Sequence, residues 1–307
     1  MHKGEPVDTK KRTVSLVLGS GGARGYTHIG VIEELEQQGY EITSISGASM
    51  GALIGGLYAS GNLQTYKTWI LGLDLIDVAK LLDLSFSRTG IIQGEKVFAV
   101  MEEMIGNQLI ESLPIPFTAV ATDLIKQQEV WFQRGSLIDA IRASIAIPTI
   151  FTPKRIGNNH FIDGGVLDPL PIAPLTADNS DFTIAVDLCA APTQSTPLVK
   201  TPVTEQKKAN RIEALFWEMQ HKITSLLDEK KEQPLDGMGM LGIMGHTIDI
   251  MQNAIKECKM AGYKADITIP IPNNACGFYE FNRAYEMIEL GRILTRKELE
   301  AHQLLHR

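Results

Sequence analysis

The sequence predicts an α/β fold around a central, largely parallel sheet flanked by helices. Two observations support this. Short apolar runs of strand length alternate along the chain with segments of helical period, the order expected when helices pack on parallel strands. The first two of those runs each end in a glycine-rich turn that opens straight into a helical pattern.

Taken in order, residues 13–18 (TVSLVL) read as a buried strand. After the glycine turn comes a helix with Ile29, Ile32 and Leu35 on one face, ended by Gly39. Residues 41–46 read as the second strand, and the small-residue run 52–59 as the helix behind it. Further strands are expected at 117–121, 129–132, 160–162, 182–188 and 265–269. Residues 63–104 are mostly helical in period, and 210–230, 238–260 and 279–291 read as three more helices. The stretch 192–208, with Pro192, Pro197 and Pro202, holds neither period and reads as an excursion. The expected organisation is one domain over 13–291, a polar segment over 1–12 and a helical tail over 292–307, with no internal repeat.

A chain of 307 residues with 44% hydrophobic content can bury a sizeable core, as a compact enzyme requires. A formal net charge of -7 offers no basic face for nucleic acid. Cys189, Cys258 and Cys276 are widely spaced and show neither a disulfide framework nor zinc-ligand spacing, which fits a reducing cytoplasm and no metal. No apolar h-region follows the basic N-terminus, so no secretion signal is read. Residues 43–66 carry no charge and place Gly47, Gly51 and Gly55 at membrane-helix spacing. Their many Ser, Thr, Asn and Gln residues nevertheless dilute the run below the ~20 mostly apolar residues that a span needs.

Three motifs carry chemistry. Gly47-Ala48-Ser49-Met50-Gly51 matches a nucleophile elbow, a serine on a tight turn between strand and helix, where Gly47 and Gly51 leave the turn room. Gly19-Ser20-Gly21-Gly22-Ala23-Arg24-Gly25 is a second such turn, whose amides can converge on an anion. That anion is either a nucleotide phosphate or the oxyanion of acyl transfer. A Walker loop would end in Gly-Lys-Ser/Thr, and a dinucleotide fingerprint would need Gly or Ala where Arg24 stands, so the oxyanion is the better fit. The third motif, Asp163-Gly164-Gly165, ends a short apolar strand. By itself an Asp-Gly pair is usually only a turn.

Histidine placement raises its standing. The Ser, Asp, His chain order of ordinary α/β-hydrolases would need a histidine beyond the aspartate, but His221 and His246 lie in helical patterns and His302 and His306 in the tail. His160 would project from the opposite face of its strand to Asp163, and His28 packs beside the first glycine turn. Only one strand and helix precede Ser49, which also argues against that fold. A Ser49–Asp163 dyad is therefore the better reading.

In kind and in order, these motifs resemble the patatin-like phospholipase family, particularly its compact bacterial members and the neuropathy target esterase catalytic domain. The likeness runs from about 14 to 171 and includes the RASIAIP segment at 142–148. It implies a patatin-like three-layer fold, Ser49 as nucleophile, Asp163 as proton acceptor, and an oxyanion hole in the glycine loop, with Gly21 and Gly22 the expected donors. Gly19, Ser20, Arg24, Gly25, Gly47, Gly51, Gly164 and Gly165 would support the motifs. Ser20 departs from the glycine of many relatives but keeps its amide. Arg24 either orients the loop or sits at the surface. The implied substrates are phospholipids, lysophospholipids or other fatty-acyl esters, hydrolysed with no cofactor. The resemblance is also compatible with peripheral contact at the inner face of a membrane, with the methionines of 238–251 serving that contact, a core or a dimer interface. Residues 63–104 form either a cap or wall of the acyl groove or ordinary core. Two further readings stay open: a nucleotide-binding protein using the glycine loop, and a non-catalytic regulatory protein on the same fold.

Overall fold

The structure is a computed structural model and describes residues 11–73, 77, 95–148, 151–199 and 240–305. Its strands are β1 (Arg12–Leu18), β2 (Tyr40–Ala48), β3 (Phe117–Asp123), β4 (Gln128–Phe132), β5 (Lys154–Ile156), β6 (Asn159–Asp163), β7 (Phe182–Ala190) and β8 (Ile267–Pro272). The helices are α1 (Thr27–Gln37), α2 (Met50–Ala59), α3 (Leu63–Leu71), α4 (Glu95–Ile105), α5 (Leu137–Ser144), α6 (Met240–Met260) and α7 (Ala284–Leu305).

Successive strand pairings run β5-β6-β3-β2-β1-β7-β8, with β6 and β2 meeting the same edge of β3 end to end and β4 pairing its other edge. β3, β2, β1, β7 and β8 are mutually parallel, and β4, β5 and β6 add antiparallel pairs at one side. Strand order reverses between β1 and β7. Crevices for ligands in open α/β sheets form at such a reversal, outside the carboxyl ends of the strands. The glycine loop leaves β1 at that point.

Successive residues of a strand face opposite sides of the sheet, and on β1 both sides are covered. Val14, Leu16 and Leu18 join the main core with Ile29 and Ile32 of α1, Leu53 and Leu57 of α2, and Ile288 of α7. Val17 instead joins Ala185, Leu170, Ile172 and Leu175, against which Met260 of α6 packs. The sheet is therefore the middle layer of three.

Residues 43–66, weighed above as a membrane segment, are the end of β2, all of α2 and the start of α3. No helix among the described residues is long and apolar enough to cross a membrane. Two elements went unread in sequence. β5 has only three residues, and α5 is capped by Ser136, whose side chain accepts from the Asp139 amide. The last helix begins at Ala284, not 279, and runs unbroken to Leu305. It is held along α1 by ion pairs, Glu34 with Arg296 at 2.9 Å and Glu33 with Arg292. The expected helix over 210–230 lies outside the described residues.

α1 and α7 touch backbone to backbone. A Cβ on Gly30 would stand 1.8 Å from the Ile288 carbonyl oxygen, and one on Gly291 would stand 2.1 Å from that of Thr27. Alanine at an open helical glycine gains up to ~1 kcal/mol in propensity, whereas overpacking a tight contact costs ~1–3 kcal/mol. Gly30→Ala is expected to lower stability in denaturant titration, while Gly245→Ala on α6, where a Cβ meets open space, is expected to leave it unchanged or raised. A Gly30→Ala protein as stable as the parent would contradict this packing.

Candidate active site

Ser49 and Asp163 meet because two strands share one edge of β3. β4 occupies the other edge along Ala119–Asp123. On the shared edge β2 ends with Ala48 opposite Val120, while antiparallel β6 ends with Asp163 opposite Ala121, the next residue. β2 and β6 thus arrive head to head, and the residues at their tips are neighbours. Ser49 Oγ donates to Asp163 Oδ2 at 2.5 Å, and the Gly165 amide donates to Asp163 Oδ1 at 2.7 Å.

The elbow itself is strained. Ser49 has φ 56 and ψ -124, and a non-glycine residue held in such a sparsely populated region costs on the order of 1–3 kcal/mol. Surrounding contacts enforce it. A Cβ on Gly51 would stand 2.0 Å from the Leu18 carbonyl oxygen, and one on Gly47 would strike Gly51. The Ser49 amide donates to Ser144 Oγ at 2.9 Å, and Ser144 Oγ donates to the Val120 carbonyl at 2.6 Å, tying the turn to β3. Ser144 was not singled out in sequence. Its only signal there was its place in the RASIAIP segment. A Cβ on Gly164 would stand 2.0 Å from the same Val120 oxygen, so the aspartate's turn is pressed equally close.

The amides of the glycine loop divide cleanly. Gly19 donates to the Val186 carbonyl at 3.1 Å, Ser20 to Pro169 at 2.8 Å and Ala23 to Phe278 at 2.9 Å. The amides of Gly21 and Gly22 donate to no group among the described residues. Ser20, the departure from the family pattern, is therefore excluded as a free amide donor. Its Oγ accepts from Gln252 Nε2 at 3.3 Å. Arg24 is buried at 1% exposure and bonds through Nε to the Gly21 carbonyl at 3.2 Å, which settles its position inside the loop rather than at the surface. Gly25 packs against Met50 at the start of α2.

Histidines take other places. His28 Nε2 bonds the Gly19 carbonyl at 2.9 Å, so that nitrogen carries the ring proton. Burial pushes the imidazole down to about 4, keeping it neutral. Among the described residues no histidine bonds Ser49 or Asp163. No group of three or more His, Cys, Asp or Glu residues among them could hold a metal ion.

Ser49 opens onto a pocket of about 690 Å³, its mouth included, lined by Tyr26, Met50, Leu53, Tyr66, Trp69, Phe98, Met101, Ile147, Phe151 and Phe281 among others. Helices α3 and α4 supply one wall, so residues of 63–104 serve groove and core together. The polar groups on its lining are few, chiefly the Ser49 and tyrosine hydroxyls. Burial pushes both tyrosine hydroxyls upward, so they stay protonated.

The same desolvation acts on Asp163. Burial raises its carboxyl from 3.8 to about 7, against the opposing hydrogen bonds from Ser49 and Gly165.

The patatin-like phospholipase profile matches residues 16–176. The chain belongs to the patatin-like phospholipase family. Uncharacterized NTE family proteins of Mycobacterium bovis and Mycobacterium tuberculosis are 39% identical over 332 aligned residues, covering 95% of this chain and 92% of theirs. The mouse patatin-like phospholipase domain-containing protein 6 is 31% identical over 57% of this chain, but only 13% of its own length is matched. Among solved structures, VipD from Legionella pneumophila aligns at a TM-score of 0.44 and 16% identity, over 95% of this chain and 67% of that one. Family membership makes this patatin-like chain a lipid hydrolase at the family level.

The carboxyl's displacement has a sign in stability. Between about pH 4, where an unfolded aspartate ionises, and about pH 7, the folded protein retains a proton that the unfolded chain has released. Stability therefore falls as pH rises through that window and stays lowered above it. Asp163→Asn can still donate to Ser49 and accept from Gly165, and it removes this slope. Its stability relative to the parent is expected to rise between pH 4 and pH 8 by up to a few kcal/mol, read by denaturant midpoints at each pH. A difference constant with pH would contradict the buried, raised carboxyl.

Proposed function

We propose that this protein is a serine hydrolase of fatty-acyl esters, of the phospholipase, lysophospholipase or carboxylesterase type, working through a Ser49–Asp163 dyad. The observation that carries the reading is the 2.5 Å hydrogen bond from Ser49 Oγ to Asp163 Oδ2 at the wall of an apolar pocket. An apolar lining suits an acyl chain and offers little to a nucleotide, which speaks against phosphate binding at the glycine loop.

In this reaction Ser49 Oγ attacks the ester carbonyl as its proton passes to Asp163 Oδ2. The carbonyl oxygen becomes an oxyanion that accepts from the Gly21 and Gly22 amides. Collapse expels the alcohol, which takes the proton from Asp163 and leaves an acyl-Ser49. Water then attacks that ester, giving its proton to Asp163, and the second collapse returns the proton to Ser49 Oγ and releases the fatty acid. Atoms balance without a cofactor.

A base works best when its pKa lies near the working pH, and burial moves Asp163 toward neutrality to about 7. The strained elbow contributes by holding Oγ at the one place where it meets the base. Peripheral contact with a membrane fits the substrate class and belongs to the same proposal.

With a short-chain nitrophenyl ester, Ser49→Ala and Asp163→Asn are each expected to lose at least about a thousandfold in kcat, and the double variant little more, as for residues acting in one step. The parent's kcat/KM should rise with pH through about 7 as Asp163 loses its proton. Full activity in Asp163→Asn, or a flat profile from pH 5 to 9, would overturn the dyad.

A further inference from the structure

Residues 192–260 offered no motif in sequence, yet α6 reaches both the glycine loop and the segment that follows the Asp163 turn. Asp249 pairs with Arg24 of the glycine loop at 2.8 Å, and Gln252 bonds Ser20 Oγ of the same loop. Lys256 pairs with Asp187 at the end of β7 at 2.8 Å, and Lys259 pairs with Asp168, just past the Asp163 turn, at 3.0 Å. At 3.6 residues per turn, positions 249, 252, 256 and 259 fall within an arc of about 80°. Ile250 and Met251 lie outside that arc and are exposed at 71% and 54%. One polar stripe of a single helix therefore ties together the glycine loop, the carboxyl half of β7 and the segment after the Asp163 turn.

We infer that Asp249 is a positioning residue that sets the direction of the Gly22 amide through Arg24, an inference that rests on the acyl-hydrolase reading above. In a planar trans peptide the carbonyl and the following N–H point in opposite directions. Arg24 Nε holds the Gly21 carbonyl, so it fixes the Gly22 N–H on the other side of that plane. The loop cannot hold the plane by itself, because Gly21 and Gly22 are adjacent glycines and Gly22 sits at φ +56. The Leu18–Gly19 and Gly19–Ser20 peptides are pinned through their N–H groups by the Val186 and Pro169 carbonyls, and the Gly22–Ala23 peptide by that of Phe278. The Gly21–Gly22 peptide relies on the guanidinium.

Arg24 in turn is held at three points. Nε meets Gly21, the first terminal nitrogen donates to the Asn273 carbonyl at 3.0 Å, and the second meets Asp249 Oδ1. Asp249 is the only counter-charge given to this buried guanidinium among the described residues. Removing one partner of a buried ion pair leaves an uncompensated charge that must find water. The guanidinium would then swing toward solvent and release the Gly21 carbonyl. The dyad, seated on β2, β3 and β6, would remain as built.

The test is steady-state kinetics with a short-chain ester on the parent, Asp249→Ala, Asp249→Asn, Asp249→Glu and, as a control on the exposed side of α6, Ile250→Ala. A missing oxyanion donor costs ~100–1,000-fold, and a misdirected one should cost about tenfold or more in kcat. The expected result is that loss in Asp249→Ala with KM within about twofold and the kinetic pKa near 7 unmoved. Asp249→Asn, which keeps an acceptor and guards against a variant that fails to fold, should be intermediate. Asp249→Glu should recover most of the rate, and Ile250→Ala should match the parent. An active parent with an undiminished kcat in Asp249→Ala would overturn this inference alone. So would a loss in which the kinetic pKa moves together with kcat, since that would be general loosening of the site. A folded but inactive parent would overturn the acyl-hydrolase reading and this inference with it.

Discussion

The site depends on the shared edge of β3. A parallel strand and an antiparallel strand cannot both run the full length of one edge. They divide it here, and the division falls between Val120 and Ala121. The consequence is a serine and an aspartate 114 residues apart in sequence at one hydrogen bond. Much else serves to keep that junction closed. Ser144 ties Ser49 to the Val120 carbonyl, while Gly51 and Gly164 give the backbone room to turn beside it. The strain at Ser49 is affordable because these contacts leave the turn no other conformation.

Electrostatics at the junction follow from the same geometry. Asp163 is buried with two donors among the described residues, so desolvation outweighs its hydrogen bonds and the carboxyl rises toward neutrality. What favours a base works against the fold, because the charged carboxylate is worth less inside than in water. The glycine loop poses the opposite problem. Its Gly21 and Gly22 amides, unpaired among the described residues, would serve an oxyanion only if they point one way, and adjacent glycines do not enforce a direction. The Arg24 guanidinium, an element from the far end of the chain, and carbonyls of β7 and its neighbours supply what the loop lacks.

Local signals made much of this legible. The three motifs are short, each sits at a strand-to-helix or strand-to-turn boundary, and their glycines announce close backbone approach. The α/β alternation and the positions of β1, β2, β3, β4, β6 and β7 followed from apolar runs, and Gly39, at φ +83, does follow the last turn of α1. The unread parts depend on distant partners. β5 is too short to show a period. Tyr279 to Phe281 read as the start of a helix by pattern, but the turn at Gly277 to Arg283 is held by the Glu280 carboxylate, which accepts from the Gly277 amide, and the helix starts after it. Arg24 could not be placed inside or outside because its counter-charge lies 225 residues away. Ser144 sits in the RASIAIP segment without standing out there, Asp249 and Gln252 lie in no motif, and only tertiary packing brings the three to the site.

The central claim is that Ser49 is the nucleophile of an acyl hydrolase, and covalent labelling tests it most directly. The folded protein would be treated with a fluorophosphonate and the modified peptide identified by mass spectrometry. The account predicts a single adduct on Ser49, formed faster as pH rises and absent in Asp163→Asn on the same timescale. A folded protein that stays unlabelled, or that is labelled at another serine, would contradict it.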